Sequence, residues 1–74
     1  MWSTGIIKTE NGAYEYQVKH FSEGSEYGIN GGKISKLWIG HDGKTVCNYD
    51  RGWDITLAGP ADKAVYDRLI GKYN

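Results

Sequence analysis

Apolar and polar residues alternate along WSTGIIKT and AYEYQVKHF, and again along KISKLWIGH and KTVCNYDR. A period of two in segments rich in β-branched and aromatic residues is the mark of strands with one buried face. Asn11-Gly12 separates the first two runs and Asp42-Gly43 the second two. These dipeptides tolerate the positive φ angles of a tight hairpin turn, so the pattern predicts four antiparallel strands in two hairpins. Between the hairpins, residues 22–32 (SEGSEYGINGG) hold four glycines and little that would pack. They predict an irregular connection long enough to carry function or motion. After DITLAGP the period changes: Ala61, Val65, Leu69 and Tyr73 stand four apart with Tyr66 and Ile70 beside them, which is one stripe of an α-helix. Pro60 suits its first position, Asp62 its first turn, and Arg68 and Lys72 its negative end. The expected fold is α+β: a four-stranded antiparallel sheet from two hairpins, with one C-terminal helix packed on one face, in a single domain spanning residues 1–74.

If each turn has two central residues, the pairing follows, because flanking positions oppose one another and side chains alternate faces. Around Asn11-Gly12, Ile7 would oppose Tyr16, Gly5 Val18 and Thr9 Tyr14, with Trp2 opposite Phe21 and Ser3 facing His20 on the same scheme. Around Asp42-Gly43, Ile39 would oppose Val46 and Leu37 Asn48, while the reverse face pairs Trp38 with Cys47, Lys36 with Tyr49 and Ile34 with Arg51. One face is then aliphatic with tyrosines and suits the helix. The other carries Trp2, Phe21, Trp38 and Tyr49 beside Lys19, Lys36 and Arg51. Cross-strand aromatic pairs also stabilise small sheets, by about 0.2–1 kcal/mol each, so this aromatic face has a purely structural reading too. A helix laid on the aromatic face would reverse the assignment.

Composition narrows the classes. A chain of 74 residues is one domain and needs a dense core. Nine basic residues balance nine acidic ones, which removes the long-range attraction of a basic domain for nucleic acid. Cys47 has no second cysteine to pair with, so no disulfide framework forms and a cytoplasmic compartment is expected. The segment MWSTGIIKTENG lacks the basic region and apolar run of an export signal, and no run of apolar residues is long enough to span a membrane.

Candidate chemistry is sparse. The stretch NYDRGWD gathers Asp50, Arg51 and Asp54 around Gly52. A strand end followed by a turn accounts for it, with Arg51 pairing an aspartate and Asp50 accepting backbone N–H groups. Ser3 and His20 on facing strands make a hydrogen bond more readily than a catalytic dyad. His20, His41, Asp42 and Asp50 share no metal-ligand spacing. GINGG lacks the Lys-Ser/Thr and following helix of a phosphate loop, and Cys47 reads as a small apolar filler. No cofactor or metal is expected, and no enzyme. An Asp50, Arg51, Asp54 cluster with His20 or His41 nearby is the one catalytic alternative.

The run EYGINGGKISKL followed by NYDRGWD resembles a small uncharacterised domain family of Gram-positive bacteria and their phages. Glu26 to Ile29, Gly31 to Leu37 and Asn48 to Asp54 carry the likeness. The resemblance implies no activity; it implies a phage or mobile-element setting, in which compact domains act by binding a host protein. The expected function is thus a non-enzymatic binding module that meets a protein through its aromatic sheet face, with Tyr27, Lys36, Trp38, Tyr49 and Arg51 as anchors, since Trp, Tyr and Arg dominate interface energetics. The alternative from another class is weak nucleic-acid binding through the same face. Lys8, Lys19, Lys36 and Arg51 against Glu15 support only a few phosphate contacts there.

Overall fold

Alternation is realised as five strands rather than four. In a computed structural model describing residues 1–74, β1 (Trp2–Thr9), β2 (Gly12–His20), β3 (Ile34–His41), β4 (Lys44–Asp50) and β5 (Trp53–Ile55) lie side by side in chain order, all antiparallel, and α1 (Pro60–Tyr73) follows. The unexpected strand is β5. Arg51, at φ +56°, lets the chain reverse, Asp50 N–H bonds the Gly52 carbonyl at 2.9 Å, and Trp53 falls opposite Tyr49. Three residues are too few to show a period, so alternation gives no sign of it.

Both hairpins form, with registers that differ from the expected ones in instructive ways. The first turn is centred on Glu10 and Asn11, so Thr9 opposes Gly12, Ile7 opposes Tyr14 and Gly5 opposes Tyr16. Neither central residue has positive φ, so the turn is not type I′; the positive φ falls on the residue after it, Gly12, at +108°, and the ladder continues without a bulge. Thr9 Oγ1 accepts the Asn11 N–H and donates to the Gly12 carbonyl, both at 3.0 Å. This displacement moves the register by two, and every side chain keeps its expected face.

In the second hairpin Asp42 and Gly43 do adopt the two positive φ angles of a type I′ turn, +51° and +75°. The correction lies in β4. Gly40 opposes Thr45, yet Ile39 opposes Cys47, so Val46 is an extra residue in a β-bulge. Beyond it β4 is turned over: Leu37 opposes Tyr49, Trp38 opposes Asn48 and Lys36 opposes Asp50. The expected pairs of Trp38 with Cys47 and Lys36 with Tyr49 do not occur.

The helix covers the aliphatic and tyrosine face. Val65 and Leu69 are buried against Tyr14, Tyr16, Val18, Leu37 and Ile39, joined by Cys47 and Tyr49 from the inverted part of β4. Directional bonds fix both helix ends. Tyr14 Oη donates to Asp62 Oδ1 at 2.9 Å in the first turn, and Tyr16 and Tyr73 hydroxyls lie 3.2 Å apart in the last. Asn74 then ties the chain to the connection: its Nδ2 donates to the Ile29 carbonyl at 3.1 Å and its Oδ1 accepts the Ile34 N–H at 3.0 Å. Residues 22–32 are therefore less free than their glycines suggest, because Ile29–Gly31 form a 3-10 turn that sinks Ile29 into the core.

Candidate functional site

With α1 on one side, the opposite side of the sheet has no covering layer. Strand alternation sends Trp2, Thr4, Ile6 and Lys8 of β1 to that open face, with Glu15, Gln17 and Lys19 of β2, Lys36 and Trp38 of β3, and Asn48 and Asp50 of β4. Trp2 is 54% exposed, Ile6 61% and Phe21 51%. These are large apolar side chains for a domain of this size to leave in water.

Trp38 is half-buried near the centre of this face. Its indole lies across Gly40, where a Cβ would overlap the ring, and its Nε1 donates to Thr45 Oγ1 at 2.9 Å. Gly40 is thus the residue that allows the indole to lie flat on the sheet. Trp2, Gln17, Lys36, Trp38, Asn48 and Asp50 line one open recess beside it. Lys19 Nζ stands 5.9 Å from the Trp2 ring and 5.7 Å from the Phe21 ring, within cation–π range of both. A second recess adjoins the first through Lys36 and holds Lys19, Phe21, Tyr27 and Arg51.

Four of the five expected anchors are half-buried or exposed at this surface; the fifth, Tyr49, borders the recess beside Trp38 but is buried. Lys36 and Trp38 lie on the open face, Arg51 sits at its corner, and Tyr27, 58% exposed, borders it from the connection. Tyr49 is the correction. The bulge at Val46 sends it inward, where it is 7% exposed, meets Trp53 edge-on at 5.1 Å and donates its hydroxyl to the Tyr27 carbonyl at 2.7 Å. It positions Tyr27 from beneath. Trp2, Lys19 and Phe21 take the place expected of Tyr49; the alternation from Trp2 along β1 is the signal that marks Trp2 for this face.

Turning β4 over also changes the electrostatics. Asp50 now shares the face with the cations: its Oδ1 lies 3.7 Å from both Lys36 Nζ and Arg51 Nε. Asp54 Oδ2 accepts a bond from Asn48 Nδ2 at 3.0 Å, which places a further acid on the same side. These half-exposed pairs are worth less than about 1 kcal/mol each. Their larger effect is to offset the positive charge counted for phosphate contacts. Lys19 has no acid in ion-pair range.

The residues of the catalytic alternative are distributed over both sides of the sheet. Asp50 and Asp54 are on the open face. His41 stacks on Tyr14 at 3.9 Å on the helix side, with Nε2 3.3 Å from Asp42 Oδ2. His20 is on the helix side as well, its Nε2 2.9 Å from Ser3 Oγ and its ring 4.9 Å from that of Tyr73. The Ser-His bond exists, and no carboxylate bonds to the imidazole to complete a triad. In the same cluster the Tyr16 hydroxyl holds Tyr73 below the ordinary phenol value by hydrogen bonding to it, with Lys72 and Ser3 acting in the same direction. The same bond, with burial, raises Tyr16. No three His, Cys, Asp or Glu side chains gather as metal ligands would. No helix is long and apolar enough to cross a membrane.

A family model described as a domain of unknown function (DUF7678) matches residues 1–74. No curated protein and no solved structure matches the chain.

Proposed function

The chain belongs over its whole length to the DUF7678 family, a domain of unknown function, and from that premise we propose that it is a non-enzymatic protein-binding module working in the bacterial cytoplasm in a phage or mobile-element setting. The phage setting rests on the resemblance of EYGINGGKISKL and NYDRGWD. The binding reading rests on one observation: the open face presents Trp2, Trp38 and Phe21 around Lys19 after the helix has been seated on the other side.

Trp2 and Trp38 are the central anchors, and Lys36, Tyr27 and Arg51 form the polar rim. This is the arrangement in which a few aromatic contacts carry most of the binding energy while a surrounding rim excludes water. Lys19, held over two rings and free of an acidic neighbour, selects a partner with a carboxylate next to an apolar surface. The nucleic-acid alternative loses ground, since Asp50 and Asp54 share the face that would meet phosphates.

The test is affinity capture from a host lysate with the tagged wild type, Trp38→Ala and Lys19→Glu, each checked for folding by circular dichroism. Trp38→Ala removes the bond to Thr45 and the packing of the indole over Gly40, both on the open face and outside the core under the helix, so it should stay folded. A partner held by the wild type should be released by Trp38→Ala and weakened by Lys19→Glu. If the same protein comes down equally with all three, the open face is not the binding surface. If Trp38→Ala unfolds the domain, Trp38 is a core residue.

A further inference from the structure

The sheet has two edges, and they are unlike. On the β5 side the edge strand is three residues long. On the other side β1 runs for eight residues, WSTGIIKT, with no proline, no bulge and one charged residue, Lys8. Soluble proteins ordinarily guard a long edge with charge, proline, a bulge or a covering segment, because an edge strand presents unpaired N–H and C=O groups to any other strand. The short edge at β5 is guarded by its length. β1 has none of these devices beyond a lysine near its end.

The groups that remain free can be named. Met1 and His20 exchange two hydrogen bonds, His20 N–H to Met1 carbonyl at 2.9 Å and the Met1 ammonium to the His20 carbonyl at 3.1 Å. Pairs in an antiparallel ladder alternate between bonded and non-bonded, and the β1–β2 register has no shift. Ser3, Gly5, Ile7 and Thr9 therefore point their backbone groups at β2. Trp2, Thr4, Ile6 and Lys8 point theirs away from the sheet.

We propose that β1 is a self-association edge, and that two copies of this chain pair β1 to β1 antiparallel about a twofold axis into one ten-stranded sheet. A single register satisfies the outward N–H and C=O groups of all four residues in both copies: Trp2 against the partner's Lys8, and Thr4 against the partner's Ile6. That register also separates the two Lys8 ammonium groups and sets each beside an indole, a favourable neighbour for a cation. A second copy suits the edge because it offers a strand of equal length whose free groups occur at the same spacing. Pairing of this kind is isologous and closes at two, and the short β5 edges left outside do not invite further growth. Arg68 and Lys72 border the same edge on the helix side, so repulsion between the two helices opposes the dimer until salt screens it. The proposal does not rest on the partner-binding reading, which concerns the face of the sheet and not its edge.

Two measurements at moderate ionic strength decide it. Sedimentation of the purified wild type from about 1 μM to about 1 mM, a range that covers weak and moderate complexes, should show a monomer–dimer equilibrium and nothing larger. Amide exchange by NMR at high concentration should then be slow at Trp2, Thr4, Ile6 and Lys8, as well as at the residues bonded to β2, and should quicken at those four on dilution. Thr4→Pro removes an outward N–H that the chain itself does not use, so the ladder to β2 is kept while dimerisation weakens by at least about tenfold. Thr4→Ala keeps the N–H and the dimer. A wild type that stays monomeric throughout, with fast exchange at those four amides, would overturn the proposal whether or not Thr4→Pro folds. Open-ended assembly beyond two copies would overturn it equally.

Discussion

Asn74→Ala is the substitution on which the architecture bears most directly. The Asn74 amide bridges two buried backbone groups: the N–H of Ile34, which is fully buried, and the carbonyl of Ile29, which is 1% exposed and also accepts the Gly32 N–H at 2.8 Å. Truncation to alanine strips the Ile34 N–H of its side-chain acceptor beneath the helix terminus and leaves the Ile29 carbonyl with the Gly32 bond alone. A hydrogen bond contributes about 0.5–1.5 kcal/mol net, and stranding a buried donor or acceptor costs about 1–3 kcal/mol. Asn74 is itself only half-buried, so water reaches part of the gap, and the expected loss is about 2 kcal/mol. For a domain of this size, whose total stability is of the order of 4–11 kcal/mol at about 0.05–0.15 kcal/mol per residue, that is a large share. Urea unfolding followed by tryptophan fluorescence measures it, and amide exchange locates it, with the Ile34 amide and the 3-10 turn at Ile29–Gly31 losing protection first. Asn74→Asp retains the acceptor for Ile34 but turns a carboxylate toward the Ile29 carbonyl, so it should recover only part of that loss. A loss below about 0.5 kcal/mol, within the range of ordinary surface changes, would refute the bridge as a structural element.

Two further outcomes follow from buried ionisable groups. Burial and the Asp62 carboxylate raise the Tyr14 phenol above its usual 10.0, the bond to Tyr73 with burial raises Tyr16, and burial first of all raises Tyr66. Each raised group contributes stability that is complete below the unfolded-state value and is lost as pH rises through the folded one; Tyr73, held lower, has the opposite sign and counters Tyr16. The melting temperature should therefore hold steady up to about pH 9 and fall from there toward about pH 11, and a flat profile across that window would count against the tyrosine contacts of the core. Cys47 is fully buried, and burial pushes its thiol from 9.0 up to about 11. Its reaction with a disulfide reagent at neutral pH should be slow and should accelerate by orders of magnitude in denaturant, whereas prompt labelling of the folded protein would mean that β4 does not turn Cys47 inward.

The sequence by itself determined the elements whose cause is local. Alternation marked β1 to β4, Asp42-Gly43 specified its turn through positive φ, and the four-residue spacing from Ala61 to Tyr73 with Pro60 at its start defined the helix. It also separated an aliphatic face from an aromatic one, because the period of a strand is two and a hairpin register that slips by two, as at Glu10-Asn11, moves no side chain across the sheet. What tertiary structure alone decided begins at Val46. A bulge is one residue out of step, and no local pattern distinguishes an unbulged β4 from one that buries Cys47 and Tyr49 under the helix and sends Asn48 and Asp50 outward. The core made that choice, since Cys47 and Tyr49 fill space against Val65 and Leu69 that Asn48 and Asp50 would have filled with unpaired polar groups. The same holds for β5 and for Ile29: a three-residue strand and a single apolar side chain in a glycine-rich connection carry no periodicity, and only the partners waiting in Tyr49, Tyr66 and Asn74 give them their places.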